Sequence, residues 1–459
     1  MTPRRRPRPS PPQIVVAAFL GAVLVGTLLL ASPAASAGPG RLGLLDALFM
    51  ATSAVCVTGL VVVDTGSALS GFGQLVIALL IKAGGLGILS VGALIAFTTG
   101  RRLGVVARLS LQAQTNRLQV GGVVRFVRSL VLVTTAAELV GALLLWPAMA
   151  REAGAAHGAW LAWFHAVSAW NNAGFSLFHD SLTRFAADPL VALTVTALFV
   201  SGGLGLVVVV DVASAVRHRY RRRGRPNAAL ARVPWSLHTR LALATTAFLA
   251  LVGVGGLLVL EWGNPATIGA LPSPARPLAA VFQGLTPRTA GFHVVEVAEL
   301  RPASQVMTMA LMFVGANPSS TAGGIKTTTI AVLLLAAWAA ARGRSTTVAF
   351  GRTLSGELVG RAAAVATLAL LVVSTAVVAL AASDPAQPLP ALAFEALSAF
   401  GTVGLSMGVT AELSGVGRSV LIALMLLGRV GLLTVALALA AARPDGPALR
   451  FPREDVIVG

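Results

Sequence analysis

Apolar residues run almost without interruption over 13–31, 241–260 and 362–382. Each run is long enough to cross a hydrocarbon core of about 30 Å as a helix. Shorter apolar stretches of helical character lie at roughly 44–56, 158–170, 276–286 and 388–400; they are too short to span. All four lead into related segments: Ser53-Ala-Val-Cys-Val-Thr-Gly59-Leu60, Ser168-Ala-Trp-Asn-Asn-Ala-Gly174-Phe175, Leu285-Thr-Pro-Arg-Thr-Ala-Gly291-Phe292 and Ser398-Ala-Phe-Gly-Thr-Val-Gly404-Leu405. A second series follows each time, inside a further apolar run: Gly84-Gly85-Leu86-Gly87, Gly202-Gly203-Leu204-Gly205, Gly323-Gly324-Ile325-Lys326 and Gly428-Arg429-Val430-Gly431. Two fourfold series in one order define an internal repeat. Its unit is a spanning helix, a short re-entrant helix, a glycine loop and a second spanning helix. The predicted fold class is an all-α membrane protein of four helix–pore-loop–helix repeats, with eight transmembrane helices and four re-entrant pore loops around one central pore.

Repeat 1 covers 13–99, repeat 2 122–212, repeat 3 236–342 and repeat 4 360–442. A cytosolic N-terminus (1–12), a basic cytosolic loop (213–235) and a cytosolic C-terminus (443–459) complete the chain. Composition agrees: 56% of residues are hydrophobic and 11% charged, too little charge to cover a soluble domain. The net charge of +18 does not indicate nucleic acid, because the basic residues sit in short segments between apolar runs. The segments 1–12, 100–128, 213–240, 341–361 and 443–459 hold 25 arginines. The other side holds seven: Arg41, Arg151, Arg184, Arg276, Arg288, Arg301 and Arg418. It also carries most of the acids, including Asp64, Asp180, Asp188, Glu296, Glu299, Asp384 and Glu412. This asymmetry predicts N-terminus in, C-terminus in, with the loops dipping from outside. Arg4, Arg5, Arg6 and Arg8 before an apolar run resemble a secretory signal. The run 13–31 is long for one, however, and the first repeat needs it as a retained helix. One cysteine, Cys56, excludes an intrachain disulfide.

Irregular backbone at membrane depth is tolerated only where protein buries it or it lines a watery path. A single glycine loop is compatible with an ordinary tight turn; four in register argue for a shared axis. Backbone carbonyls from four loops can replace a cation's hydration shell, and helix C-termini aimed at that axis favour a cation. The candidate filter residues are Val57, Thr58 and Gly59; Asn172, Ala173 and Gly174; Thr289, Ala290 and Gly291; and Thr402, Val403 and Gly404. None is charged, which favours a monovalent cation over calcium or a proton.

The third repeat is longest and is interrupted at Gly315, Ala316, Asn317, Pro318, Ser319, Ser320, Thr321, Ala322, Gly323 and Gly324. Such a stretch breaks the helical ladder. It reads either as a kink or as an intramembrane gate beneath the filter. Arg429 occupies the place of a glycine in the second series. Three readings stand: pairing with carbonyls or hydroxyls of 316–321, an electrostatic barrier in the cytosolic half, or snorkelling at a helix end. Both lysines of the chain, Lys82 and Lys326, neighbour the second series. The run Arg217–Arg225 meets either anionic lipid or a regulatory subunit.

The four loops resemble the pore loops of the Trk/Ktr/HKT superfamily of potassium transporters, and Pro318-Ser-Ser-Thr-Ala-Gly-Gly-Ile-Lys-Thr-Thr-Thr329 resembles the third-repeat segment of its Ktr and Trk members. The resemblance runs the whole chain in order, and size and short ends are closer to the Ktr type. It implies potassium uptake across the bacterial cytoplasmic membrane, commonly sodium-stimulated, with a gating loop at 315–324. It also implies a homodimer carrying cytosolic nucleotide-binding regulatory subunits, with membrane lipids around it, no further cofactor and no enzymatic activity. A less selective sodium/potassium transporter and an alternating-access carrier are the competing readings. The carrier is disfavoured because the repeats share one orientation and Glu138 and Glu261 read as isolated acids near helix ends. No nucleophile–base pair, metal triad or phosphate loop is recognisable.

Overall fold

The computed structural model describes residues 10–87, 123–221, 235–318 and 320–432, with 434, 435 and 438. Residues 1–9, the end of repeat 1 beyond 87, Ser319, most of the basic loop 213–235 and the C-terminal segment 443–459 lie outside the described residues.

Helix α1 (Pro11–Leu30) starts where the Ser10 N–H donates to Gln13 Oε1 at 2.9 Å, a contact that satisfies one backbone donor ahead of the apolar run. The first repeat continues through α2 (Leu44–Cys56) and α3 (Gly71–Leu86). The second has α4 (Val123–Ala153), α5 (Ala155–Trp170) and α6 (Pro189–Gly203), followed by α7 (Leu206–Arg221). The third has α8 (Leu237–Glu261), α9 (Arg276–Leu285) and α10 (Pro302–Phe313), followed by α11 (Thr327–Ala341). An antiparallel hairpin, β1 (Thr347–Ala349) and β2 (Arg352–Leu354), pairs Thr347 with Leu354. It leads into α12 (Gly356–Ser383), α13 (Leu389–Gly401) and α14 (Gly415–Val430). Among the described residues, α1, α4, α8 and α12 contain the four single helices long and apolar enough to cross a membrane.

The second helices differ from the uninterrupted spans expected. Helices α3, α6 and α14 stop at the glycine series, and α10 stops earlier, at Phe313. Helix α3 ends before Gly87 at φ +81°, and α14 before Gly431 at φ +90°. Helix α7 leaves α6 at 99°, and α10 gives way to the 315–324 segment. Close packing of the series explains why. A Cβ at Gly84, Gly202 or Gly428 would collide with the carbonyl of Val55, Trp170 or Phe400, each at the end of the short helix of the same repeat. The first glycine of the first, second and fourth series thus lets the second helix approach that end, and a glycine of positive φ follows within three residues.

Burial runs opposite to that of a water-soluble bundle. The long helices turn Leu28, Leu143, Leu251, Val259 and Leu371 outward, while the short helices are enclosed. Phe49, Phe164, Phe282 and Phe394, one per short helix, are fully buried. So are the residues after the pore glycines, Leu60, Phe175, Phe292 and Leu405. Polar Ser53, Thr58, Asn171, Asn172, Thr289 and Thr402 lie inside this shell. An apolar exterior around a polar interior is what a lipid solvent selects.

Candidate functional site

The short helices of repeats 1, 2 and 4 end alike. The Val57 N–H donates to Ala54 O (3.1 Å) and Thr58 N–H to Ser53 O (2.8 Å). The same pair of bonds recurs at Asn172 and Ala173, and at Thr402 and Val403. The Ser-Ala signature thereby gains a reason: Ser53 and Ser398 also cap the pore glycines, with Gly59 and Gly404 N–H each donating to the serine Oγ at 3.1 Å. Repeat 3, without that serine, turns on Thr286, whose Oγ1 donates to Phe292 O at 2.6 Å.

In every loop, the residue two before the glycine is left-handed: Val57 (φ 58°), Asn172 (59°), Thr289 (78°) and Thr402 (51°). For β-branched Val and Thr this is a strained conformation, held by its surroundings. The glycines follow at φ +98°, +70°, +78° and +94°. The loops close into one ring. A Cβ built on Gly59 would lie 3.1 Å from Gly174 Cα, one on Gly174 2.8 Å from Gly291 Cα, one on Gly291 3.3 Å from Gly404 Cα, and one on Gly404 3.0 Å from Gly59 Cα. Each glycine also abuts the carbonyl of the residue preceding the next one: Ala173, Ala290, Val403 and Thr58 in turn. All twelve candidate filter residues lie in these loops.

The 315–324 segment packs against this ring and bonds to the second and fourth repeats. Asn317 donates from its N–H to Gly203 O (3.3 Å) and from Nδ2 to Leu204 O (3.1 Å), and its Oδ1 accepts from Thr327 Oγ1. Thr321 Oγ1 donates to Asn172 Oδ1 (2.9 Å), and Gly323 N–H to Thr402 Oγ1 (2.9 Å). Gly315 packs against the Gly323 carbonyl, Ala316 near Gly203, and Gly324 N–H donates to Gly428 O at 3.2 Å. Ser320 Oγ accepts from Ala322 N–H, and Lys326 Nζ donates to Ala322 O at 2.5 Å. Pro318 is half-buried at the turn. Arg429 donates through Nη1 to Thr321 O and through Nη2 to Gly84 O. Its guanidinium joins the third-repeat segment to the break in the first.

Four residues stand differently from the sequence reading. Glu138 is not isolated: it is buried in the middle of α4, accepts from Lys82 Nζ at 2.6 Å, and accepts from Asn171 Nδ2 at 2.9 Å. Its partner comes from another repeat, which spacing could not reveal. Glu261 does end α8, but as a buried hub that accepts from Ser304 Oγ, Thr267 Oγ1, Asn264 Nδ2 and Arg301 N–H. Arg288, counted among the outer arginines, is buried and donates to Thr246 O and Oγ1 in the interior of α8. It is packed inside the protein against α8, a contact that charge counting along the chain does not display. Glu395 in α13 was not singled out. It is fully buried and accepts from Ser406 Oγ (2.6 Å), Met407 N–H (3.0 Å) and Thr410 Oγ1 (2.7 Å). An acid within an apolar short helix was the available signal.

A family model described as TrkH, cation transport protein, matches residues 10–449. Ktr system potassium uptake protein B of Bacillus subtilis is 38% identical, over 98% of this chain and 97% of that one. Potassium/sodium uptake protein NtpJ of Enterococcus hirae is 35% identical, over 100% of this chain and 99% of that one. The crystal structure of the potassium transporter TrkH from Vibrio parahaemolyticus superposes with a TM-score of 0.72 at 19% identity, covering 96% of this chain and 86% of that one; this likeness speaks to the fold.

Proposed function

Because the chain belongs to the TrkH family of cation transport proteins, whose members are transporters and not enzymes, we propose that it takes up potassium across the cytoplasmic membrane through the ring formed by its four pore loops. The closed ring of Gly59, Gly174, Gly291 and Gly404 carries this reading. Neutral carbonyls at a constriction suit a monovalent ion that has shed its water. The candidate filter is Val57–Gly59, Asn172–Gly174, Thr289–Gly291 and Thr402–Gly404. The segment 315–324, with Lys326 and Arg429, is the gate below it. Its bonds to the second and fourth repeats, and the Arg429 bridge to the first, hold it seated, and their loss would release it. The termini are cytosolic, as the arginine asymmetry indicates.

Sodium stimulation, a homodimer and cytosolic nucleotide-binding regulatory subunits belong to the same reading and rest on the family resemblance. A less selective sodium/potassium transporter is the second reading, favoured by the likeness to the Enterococcus hirae protein. One experiment separates the two: expression in a potassium-uptake-deficient bacterium at low potassium, with and without sodium. Growth rescue, with potassium uptake resistant to excess sodium, supports the first. Equal competition by sodium supports the second, and no rescue by membrane-inserted protein removes both.

A further inference from the structure

We infer that Glu395 is a positioning residue that sets cation affinity from behind the fourth pore loop; the inference rests on the ring being the ion path.

Its place is repeated. Glu395 lies nine residues before Gly404, and His165 lies nine before Gly174. Each reaches the hydroxyl of the serine two residues after its glycine: Glu395 to Ser406 at 2.6 Å, His165 Nε2 to Ser176 at 3.0 Å. The equivalent residues in the other loops are Met50 and Phe282. Loops 2 and 4 face each other across the ring, because contacts run in the order one, two, three, four, one. One diagonal of the ring is therefore held from behind by polar side chains at this level.

Only Glu395 in this set can carry a negative charge. Met407 N–H can only donate, the Ser406 and Thr410 hydroxyls can turn their hydrogens toward Glu395, and Ser406 accepts from Gly408 N–H at 2.9 Å, so the three contacts can hold a carboxylate. Among the described residues no lysine, arginine or histidine forms an ion pair with it. A buried anion satisfied by hydrogen bonds alone leaves its field uncompensated. Met407 is three residues beyond Gly404, so the carboxylate lies within about 15 Å of the ring by chain reach. At that range in protein, one unit charge changes cation affinity by about fivefold or more. The same three bonds fix Ser406–Thr410, the stretch leading outward from Gly404.

Two effects are thus predicted, and variants separate them. Glu395→Gln keeps shape and most acceptor capacity but removes the charge. Glu395→Asp keeps the charge on a shorter stem. Ser406→Ala removes one bond and leaves the charge. The readouts are potassium uptake kinetics with sodium as competitor, and the rise in melting temperature of detergent-purified full-length protein on titrating potassium chloride. The expected result for Glu395→Gln, at equal membrane level, is an apparent Km raised about fivefold or more with Vmax little changed. Glu395→Asp should restore affinity part of the way, and Ser406→Ala should chiefly weaken discrimination against sodium. A purely structural role predicts the opposite order, Gln better tolerated than Asp. That order, or an unchanged Km and unchanged potassium-dependent melting in Glu395→Gln, overturns the inference. If the wild type takes up no potassium, the proposed function falls, while the melting titration still decides whether Glu395 sets cation affinity.

Discussion

Asn172 Oδ1 accepts a 2.9 Å hydrogen bond from Thr321 Oγ1. A side chain on the strained turn of the second pore loop therefore holds the third-repeat segment. Thr402, on the equivalent turn of the fourth loop, does the same through Oγ1 to the Gly323 N–H. The left-handed φ at both positions turns these side chains toward the segment below the ring. Thr321→Val and Thr402→Val should each release part of the hold. We expect a higher maximal uptake rate, since a lost buried hydrogen bond is worth about 1 kcal/mol, roughly fivefold in the seated-to-released ratio. Thr402→Ser, which keeps the hydroxyl, should stay near wild type. Uptake kinetics at matched membrane levels check this.

The ring itself leaves no room for side chains. Gly174→Ser puts a Cβ 2.8 Å from Gly291 Cα, and Gly404→Ser puts one 3.0 Å from Gly59 Cα. Backbone on both sides cannot move away as a flexible side chain would. Positive φ alone would add about 1–2 kcal/mol per substitution. Each variant should lose potassium affinity and sodium discrimination together. Inserted protein with wild-type values for both would exclude these glycines from the selective path.

Much of this arrangement was legible in the chain because glycine and serine mark backbone tasks. The short helices fall at 44–56 and near the expected 158–170, 276–286 and 388–400, since length and apolar character set them. What stayed hidden depends on contacts between repeats. Val57 and Thr402 are poor candidates for a left-handed turn, and only their packing holds them there. The breaks in α3, α6 and α14 come from glycines meeting carbonyls of other helices, which a hydropathy run cannot display. Glu138 was misread as isolated, and the burial of Arg288 stayed hidden, for the same reason: their partners are tens of residues away, at Lys82 and Thr246. Arg429 was legible because a lone arginine inside an apolar run demands an acceptor.

The Lys82–Glu138 pair joins the first repeat to the second at 2.6 Å, and Glu138 also holds Asn171, next to the turn at Asn172. Breaking a buried pair leaves an uncompensated charge, which typically costs about 3–5 kcal/mol. The lysine side chain is 26% exposed, so the low end of that range or a little less, about 2–3 kcal/mol, is expected for Lys82→Met or Glu138→Leu. The double replacement should recover most of the loss. Thermal unfolding in detergent of the two single variants and the double one measures the coupling; additive losses would mean the pair is not a unit.

Asp384 links the C-terminal end of α12 to the N-terminal end of α14. Burial pushes its carboxyl up, but hydrogen bonds from Ser383 Oγ and from the Ser414 N–H and Oγ outweigh this and hold it below the usual carboxylate value. The depressed value fixes the sign: stability is present above the unfolded carboxylate range of about 4 and is lost as pH falls through the folded value. Asp384→Asn should lower the melting temperature at pH 7 and flatten its decline between about pH 5 and pH 3. Parallel melting curves for variant and wild type over that window would contradict the assignment.

Arg429 makes the sharpest case, because it holds two carbonyls that no other described residue joins. Through Thr321 O it fixes the third-repeat segment, and through Gly84 O it fixes the break in the first repeat. A guanidinium offers two terminal donors in one plane; an ammonium is a point. Arg429→Ala should therefore raise uptake by loosening the segment, as deletion of 316–321 should. If both act by the same release, combining them adds little, since residues acting through one contact are not additive. Arg429→Lys should restore one bond and close the path only in part. The measurement is maximal potassium uptake for the two single changes, the combination and the lysine variant, at equal amounts of inserted protein. Full additivity, or a lysine variant as tight as wild type, would show that the path is closed by something other than this bridge.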